Sequence, residues 1–430
     1  MASCCQNGRH SLKQAMKKSP PTRLDRSFWE KFATQIWQKK AAVFPNIDSP
    51  LREIGSDRIF QMLVEYADLC RQSEDVGGFK LFLEGARQYD QDTLQVLPVL
   101  KDKSLLGYHQ RMQKQFADYC LVCDELLQVS QESWGLLSQF THQLYQQVGF
   151  PNRFSEIGLY LGNYQKTPFG VHVDDCGVFS FPAVGTKKFR IWDEATVRKH
   201  PDLIEAHQYD EYKKNSQVLT AKPGDMTYWP SQAWHIAESD GSFSATWSLG
   251  VWLDRPHKQV MADTMKGFFE RTLGKEADLS VVGFRDLHRA SGEVQKLPSL
   301  YRKTEKAIEN LKQDEIRDLL LQSWLVQASK QGLKTFPRLE KQAKLSLQDS
   351  IRLRFPAPIL WSRLRQSKQT CFAFAGEVYL HFASADFLKL IEDLNQNQAC
   401  RLAKYIKGRR RAEDLELLQK LQAAGALYRF

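Results

Sequence analysis

Phe169-Gly170-Val171-His172-Val173-Asp174, with the later stretch Gly224-Asp225-Met226-Thr227-Tyr228-Trp229-Pro230 running on to His235, decides how this chain is read. On a strand, residues i and i+2 point to the same face, so His172 and Asp174 can ligate one metal ion while Val173 packs on the other side. A distant histidine must close the set, and His235 fills that place. His172 lies between the apolar run Ile157-Gly158-Leu159-Tyr160-Leu161 and the alternating Val178-Phe179-Ser180-Phe181. His235 precedes Phe243 to Trp252, again rich in strand-favouring residues. Asp225 after Gly224 reads as a turn. His200-Pro201-Asp202 has the same spacing without this context, and Pro201 cannot donate to a ladder, so it reads as a loop.

Two imidazoles and one carboxylate form the ligand set of non-haem Fe(II) oxygenases, which leaves coordination positions open for other molecules. A structural metal site would instead close its coordination with a fourth protein ligand. The metal set is therefore His172, Asp174 and His235, which are also the catalytic residues.

These residues resemble the JmjC-type oxygenases, a family with a double-stranded β-helix (jelly-roll or cupin) core that uses Fe(II), 2-oxoglutarate and O2. The resemblance runs through Phe169 to Asp174, Gly185-Thr186-Lys187-Lys188-Phe189-Arg190, Gly224-Asp225 to His235, and Ser248-Leu249-Gly250. It is closest to the ribosomal-oxygenase-like branch, in which an apolar pair follows the first ligand strand, here Val178-Phe179. The resemblance implies that Lys187 holds the distal carboxylate of 2-oxoglutarate. Lys188 or Arg190 takes that role if the register slips, and the strand-face rule groups Lys187 with Phe189. Tyr160, Thr167, Trp247 and Ser248 are the further cosubstrate-pocket candidates. Phe169 stands where the asparaginyl-hydroxylase branch carries Ser or Thr. Asp174 implies hydroxylation, because relatives that halogenate lack the carboxylate.

The chain has 430 residues, which exceeds what one core usually supports. The expected class is α+β with four parts: a basic disordered arm over 1–26, an oxygenase domain over 27–253 with its core at 154–252, a helical connector over 254–345, and a winged-helix-like domain over 346–430. Helical periodicity runs through Phe28-Trp29-Phe32-Trp37, Ile59 to Leu69 and Leu126 to Val148, with short strands at Ala42-Val43-Phe44 and Phe79 to Leu83. Cys120-Leu121-Val122-Cys123 falls in a run from Met112 to Val129 that reads as helix. In the C-terminal part, Cys371 to Phe374 and Val378 to His381 read as strands around Gly376-Glu377, followed by helices at Ala385 to Leu394 and Ala412 to Ala424.

The net charge is +10, and part of the excess lies in the N-terminal arm. Lys407-Gly408-Arg409-Arg410-Arg411 reads as a solvated turn before it reads as a nucleic-acid contact. Scattered cysteines without a secretory signal or long apolar span fit a reducing cytoplasm and no membrane. The connector helices imply a homodimer by resemblance, although the same apolar stripe could pack internally. The leading function is a 2-oxoglutarate-dependent hydroxylase of a protein or peptide side chain, either a ribosomal protein or a ribosomally made peptide. The competing readings are a small-molecule hydroxylase or N-demethylase, a non-catalytic cupin-like binding module, and a winged-helix nucleic-acid binder with a structural metal.

Overall fold

The computed structural model describes residues 20–254, 256–273, 297–337, 343–354 and 357–430. Two antiparallel sheets form the centre. The larger has eight strands in the order Ala42–Phe44, Met226–Trp229, Gly177–Val184, Ser244–Trp252, Phe154–Gly162, Tyr119–Cys123, Phe79–Leu83 and Ala86–Arg87. The smaller has Gln217–Ala221, Lys187–Trp192 and Trp234–Glu238, with Lys187–Trp192 in the middle. This is the mixed α/β organisation of a cupin-type core.

Period-2 alternation assigns the two faces of the large sheet. Phe179, Phe181, Leu159, Leu161, Trp247 and Leu249 are buried in the main core on one face. That face is covered by the helices Arg26–Gln35 and Gln131–Val148, with Trp29 edge-on to Phe140, their ring centroids 5.3 Å apart. Phe140 in turn meets Phe181 at 5.2 Å. Tyr160, Thr246 and Ser248 face the other way, toward the small sheet.

Three sequence expectations change here. Cys120 to Cys123 belongs to the buried strand Tyr119–Cys123, not a helix. All five residues are buried, so the run carries no alternating pattern to separate strand from helix. His172 and Asp174 lie outside any regular strand; His172 makes only an isolated bridge to His235. The arm over 1–26 falls largely outside the described residues, but its end is ordered. Thr22–Arg23 pairs with Ile47–Asp48, and the Asp25 carboxylate caps the following helix by accepting from Phe28 N–H.

After the core come the helices His257–Leu273, Ser299–Glu309 and Gln313–Ser329; connector residues 274–296 and 338–342 lie outside the described residues. The C-terminal part holds two three-stranded sheets. One contains Cys400–Arg401, Ser350–Leu353 and Leu427–Arg429, and the other Leu360–Arg363, Thr370–Phe374 and Glu377–His381. The helices Ala385–Asn395 and Arg411–Ala423 accompany them. Trp134 ties the end of the connector to the core, donating to Thr335 O at 2.9 Å with its ring tilted against Phe336, and Phe336 meets Phe374 of the C-terminal part at 5.4 Å.

Candidate active site

His172 and His235 come together because their backbones form a two-hydrogen-bond bridge between the loop before Gly177–Val184 and the strand Trp234–Glu238. The loop is held from behind: Val171 N–H donates to Ala206 O and Glu205 N–H donates to Val171 O. Gly170 has φ +69°, and a Cβ there would lie 2.6 Å from Glu205 O, so only glycine permits this approach.

Each imidazole is oriented by its own chain. His172 Nδ1 lies 3.0 Å from Gly170 O and His235 Nδ1 2.9 Å from Ala233 O. A carbonyl only accepts, so Nδ1 carries the proton in both rings and Nε2 keeps its lone pair. The Nε2 atoms turn toward Asp174, at 3.8 Å for His172 and 3.4 Å for His235. One ligand atom from each residue lies within 4.8 Å of the others. Burial pushes the His235 pKa down to about 4 against the opposing pull of Asp174, so the ring is neutral near pH 7. Two imidazoles and a carboxylate, with no fourth protein ligand in the cluster among the described residues, suit an open divalent-metal site.

The cluster lies in a cavity of about 480 Å³ between the two sheets. Lys187 lines it and is only 2% exposed. Its Nζ donates to Tyr164 Oη at 2.5 Å and sits over the same ring. Burial lowers its pKa to about 7, offset only slightly by Cys120. A buried ammonium without a carboxylate partner is costly, which makes this end of the cavity receptive to an anion. Phe189 lines the cavity too, whereas Arg190, on the opposite strand face, is paired with Glu238 at 2.8 Å.

Tyr160, Thr167 and Ser248 line the cavity as expected from sequence. Trp247 does not. It is 1% exposed and packed in the main core, because alternation along Ser244–Trp252 turns it away from the face of its neighbours. Thr246 takes the inward place. The sequence reading also missed Tyr164, Ala237 and Trp229; for Thr246, period-2 spacing from Ser248 was a usable signal. His200 and Asp202 lie elsewhere, both against Tyr212.

Residues 138–259 match the family model of the JmjC domain. The matched segment holds His172, Asp174, His235 and Lys187, so the ligand cluster lies within a region similar to the JmjC domain. Among solved structures the chain is similar to ycfD of E. coli, at 15% identity and TM-score 0.51, covering 94% of this chain and 98% of that one. A second structure of YcfD, described as a ribosomal oxygenase from Escherichia coli, gives 16% identity and TM-score 0.51 over 93% and 97% of the two chains. YcfD in complex with cobalt and 2-oxoglutarate gives 15% identity and TM-score 0.52 over 93% and 98%. At these identities the likeness to YcfD is one of fold. No curated protein matches the chain.

Proposed function

We propose that this chain is an Fe(II)- and 2-oxoglutarate-dependent oxygenase that hydroxylates a side chain of a protein or peptide, with His172, Asp174 and His235 as its metal ligands. The observation that carries the reading is the presence, in one cavity, of the His-Asp-His cluster and a buried lysine that has no carboxylate partner among the described residues. Fe(II) bound there supplies the oxidative chemistry that couples decarboxylation of 2-oxoglutarate, to succinate and CO2, with hydroxylation of a C–H bond.

The chain's own residues have separable tasks. The Nδ1–H bonds to Gly170 and Ala233 hold the two imidazoles in the ligating tautomer. Lys187 pairs with the distal carboxylate of 2-oxoglutarate, and Tyr164 fixes its ammonium. Tyr160, Thr167 and Ser248 line the space between, while Phe169, Phe189 and Trp229 make the wall apolar and limit water.

A polypeptide substrate is supported by the shared fold with a protein described as a ribosomal oxygenase. A ribosomal protein or a ribosomally made peptide both fit this reading, and the cytoplasm is its natural location. Among the described residues no helix is long and apolar enough to cross a membrane. The connector helices expose Met261, Tyr301, Ile308, Leu320 and Trp324, an apolar surface suited to pairing two copies. Sedimentation velocity tests the dimer. Incubation of a ribosomal protein fraction with enzyme, Fe(II), 2-oxoglutarate and O2, followed by peptide mass spectrometry, tests the function. A peptide gaining one oxygen atom only when 2-oxoglutarate is present supports it; succinate formation that no polypeptide stimulates or captures contradicts it.

A further inference from the structure

In a sheet separate from the two that hold the metal cluster, the strand Glu377–His381 forms one edge: among the described residues it pairs with Thr370–Phe374 on one side only. Alternate backbone N–H and C=O groups of an edge strand point outward and are open to a further strand. Beside this edge runs the helix Arg411–Ala423, joined to it by the buried bond between His381 Nε2 and Asp414 Oδ1 at 2.6 Å. Strand and helix bound a groove of about 840 Å³.

The groove has two kinds of wall. Val378 and Leu380 share one strand face, and Leu380 is 46% exposed. Tyr379 and His381 share the other, on the side of the helix. There Glu413, Glu416 and Lys420 line the groove. Glu416 is paired with Lys420 at 2.8 Å, whereas Glu413 is exposed and has no ion pair among the described residues. One end is closed by Arg410, which stacks on Phe382 and donates to its carbonyl at 3.1 Å.

A strand added at this edge would place alternate side chains against Leu380 and against Glu413. We propose that the groove docks an extended segment of the protein substrate in which aliphatic residues alternate with lysine or arginine, by strand addition to Glu377–His381. The occupant follows from the open edge, the apolar face and the Glu413 carboxylate, which has no ion pair among the described residues. This inference rests on the reading that the substrate is a protein, and it makes the C-terminal part a recognition element remote from the chemistry.

The test uses a fluorescein-labelled peptide of alternating lysine and valine, titrated with the full-length protein and followed by anisotropy. The same peptide with glutamate for lysine, and one interrupted by proline, are the controls. Saturable binding of the lysine–valine peptide, loss of binding by both controls, and a weakening of about three- to tenfold in Glu413→Lys are expected. Leu380→Lys should weaken binding as well, and neither variant should alter substrate-free turnover of 2-oxoglutarate. Equal binding of the proline peptide, or indifference to both substitutions, overturns strand addition. Displacement by a single-stranded RNA also overturns it and moves the contact to the Lys407–Arg411 turn. Binding is measured in His172→Ala in parallel. That variant should bind the peptide as the wild type does; peptide binding by a wild-type protein that never forms succinate faults the oxygenase reading alone, and wild-type turnover without peptide binding faults the docking site alone.

Discussion

His172 and His235 exchange both backbone hydrogen bonds, His172 N–H donating to His235 O at 3.0 Å and His235 N–H donating to His172 O at 2.8 Å. The two imidazoles proposed as metal ligands are thus spaced by the backbone, and substitution of one side chain leaves the bridge intact. His172→Ala, Asp174→Ala and His235→Ala should each fold normally and lose turnover to background. Circular dichroism together with succinate release checks this; wild-type turnover in any of them would remove that residue from the site.

Lys187 opposes stability to function. Lys187→Met removes a buried ammonium and should raise the stability of the ligand-free protein by about 1–2 kcal/mol, a typical gain when a buried charge gives way to an apolar side chain. The same change should raise the KM for 2-oxoglutarate by roughly 10- to 100-fold, as expected for a lost charge-assisted pair. Thermal unfolding and a 2-oxoglutarate titration read the two effects. A destabilised variant with unchanged KM would show that Lys187 is only a packing residue.

The same lysine sets a pH dependence. Its folded pKa of about 7 lies below the ordinary value of 10.5, so between these values the unfolded chain binds more protons than the folded one. Stability from this group therefore rises as pH increases from about 7 toward 10.5 and is lost as pH falls through 7. Binding of 2-oxoglutarate, which needs the charged form, should weaken over the same rise. Paired measurements of Tm and 2-oxoglutarate affinity between about pH 6.5 and 9 check the opposite slopes. Parallel trends would contradict the assignment.

Trp247 and Ser248 are neighbours with opposite fates. Trp247→Ala should cost about 3–5 kcal/mol, because it empties a fully buried core position. Ser248→Ala should leave stability nearly unchanged and act on the cosubstrate KM. Chemical denaturation separates the two, and a mild effect of Trp247→Ala would place its ring outside the core.

Much of this site was legible in the sequence because its information is local. His172-Val173-Asp174 and the spacing to His235 carry the ligand set, and the alternation Lys187, Phe189 carries the inward face of one strand. What was not legible depends on tertiary placement. Tyr119–Cys123 is buried on both faces, so its apolar run hides its period. Tyr164 meets Lys187 only because the chain leaves the strand Phe154–Gly162 and crosses to the small sheet, where Lys166 bridges Glu238. Trp247 was assigned to the pocket by residue type, when its position between Thr246 and Ser248 already turned it away.

The central claim is that His172, Asp174 and His235 hold Fe(II) in a site that also admits 2-oxoglutarate. Anaerobic titration of the purified protein with Fe(II) and 2-oxoglutarate, followed in the visible range, tests it most directly. The account predicts a metal-to-ligand charge-transfer band in the wild type that is absent in His235→Ala. Metal binding without that band would contradict it and make the chain a binding module that keeps the shape of the triad.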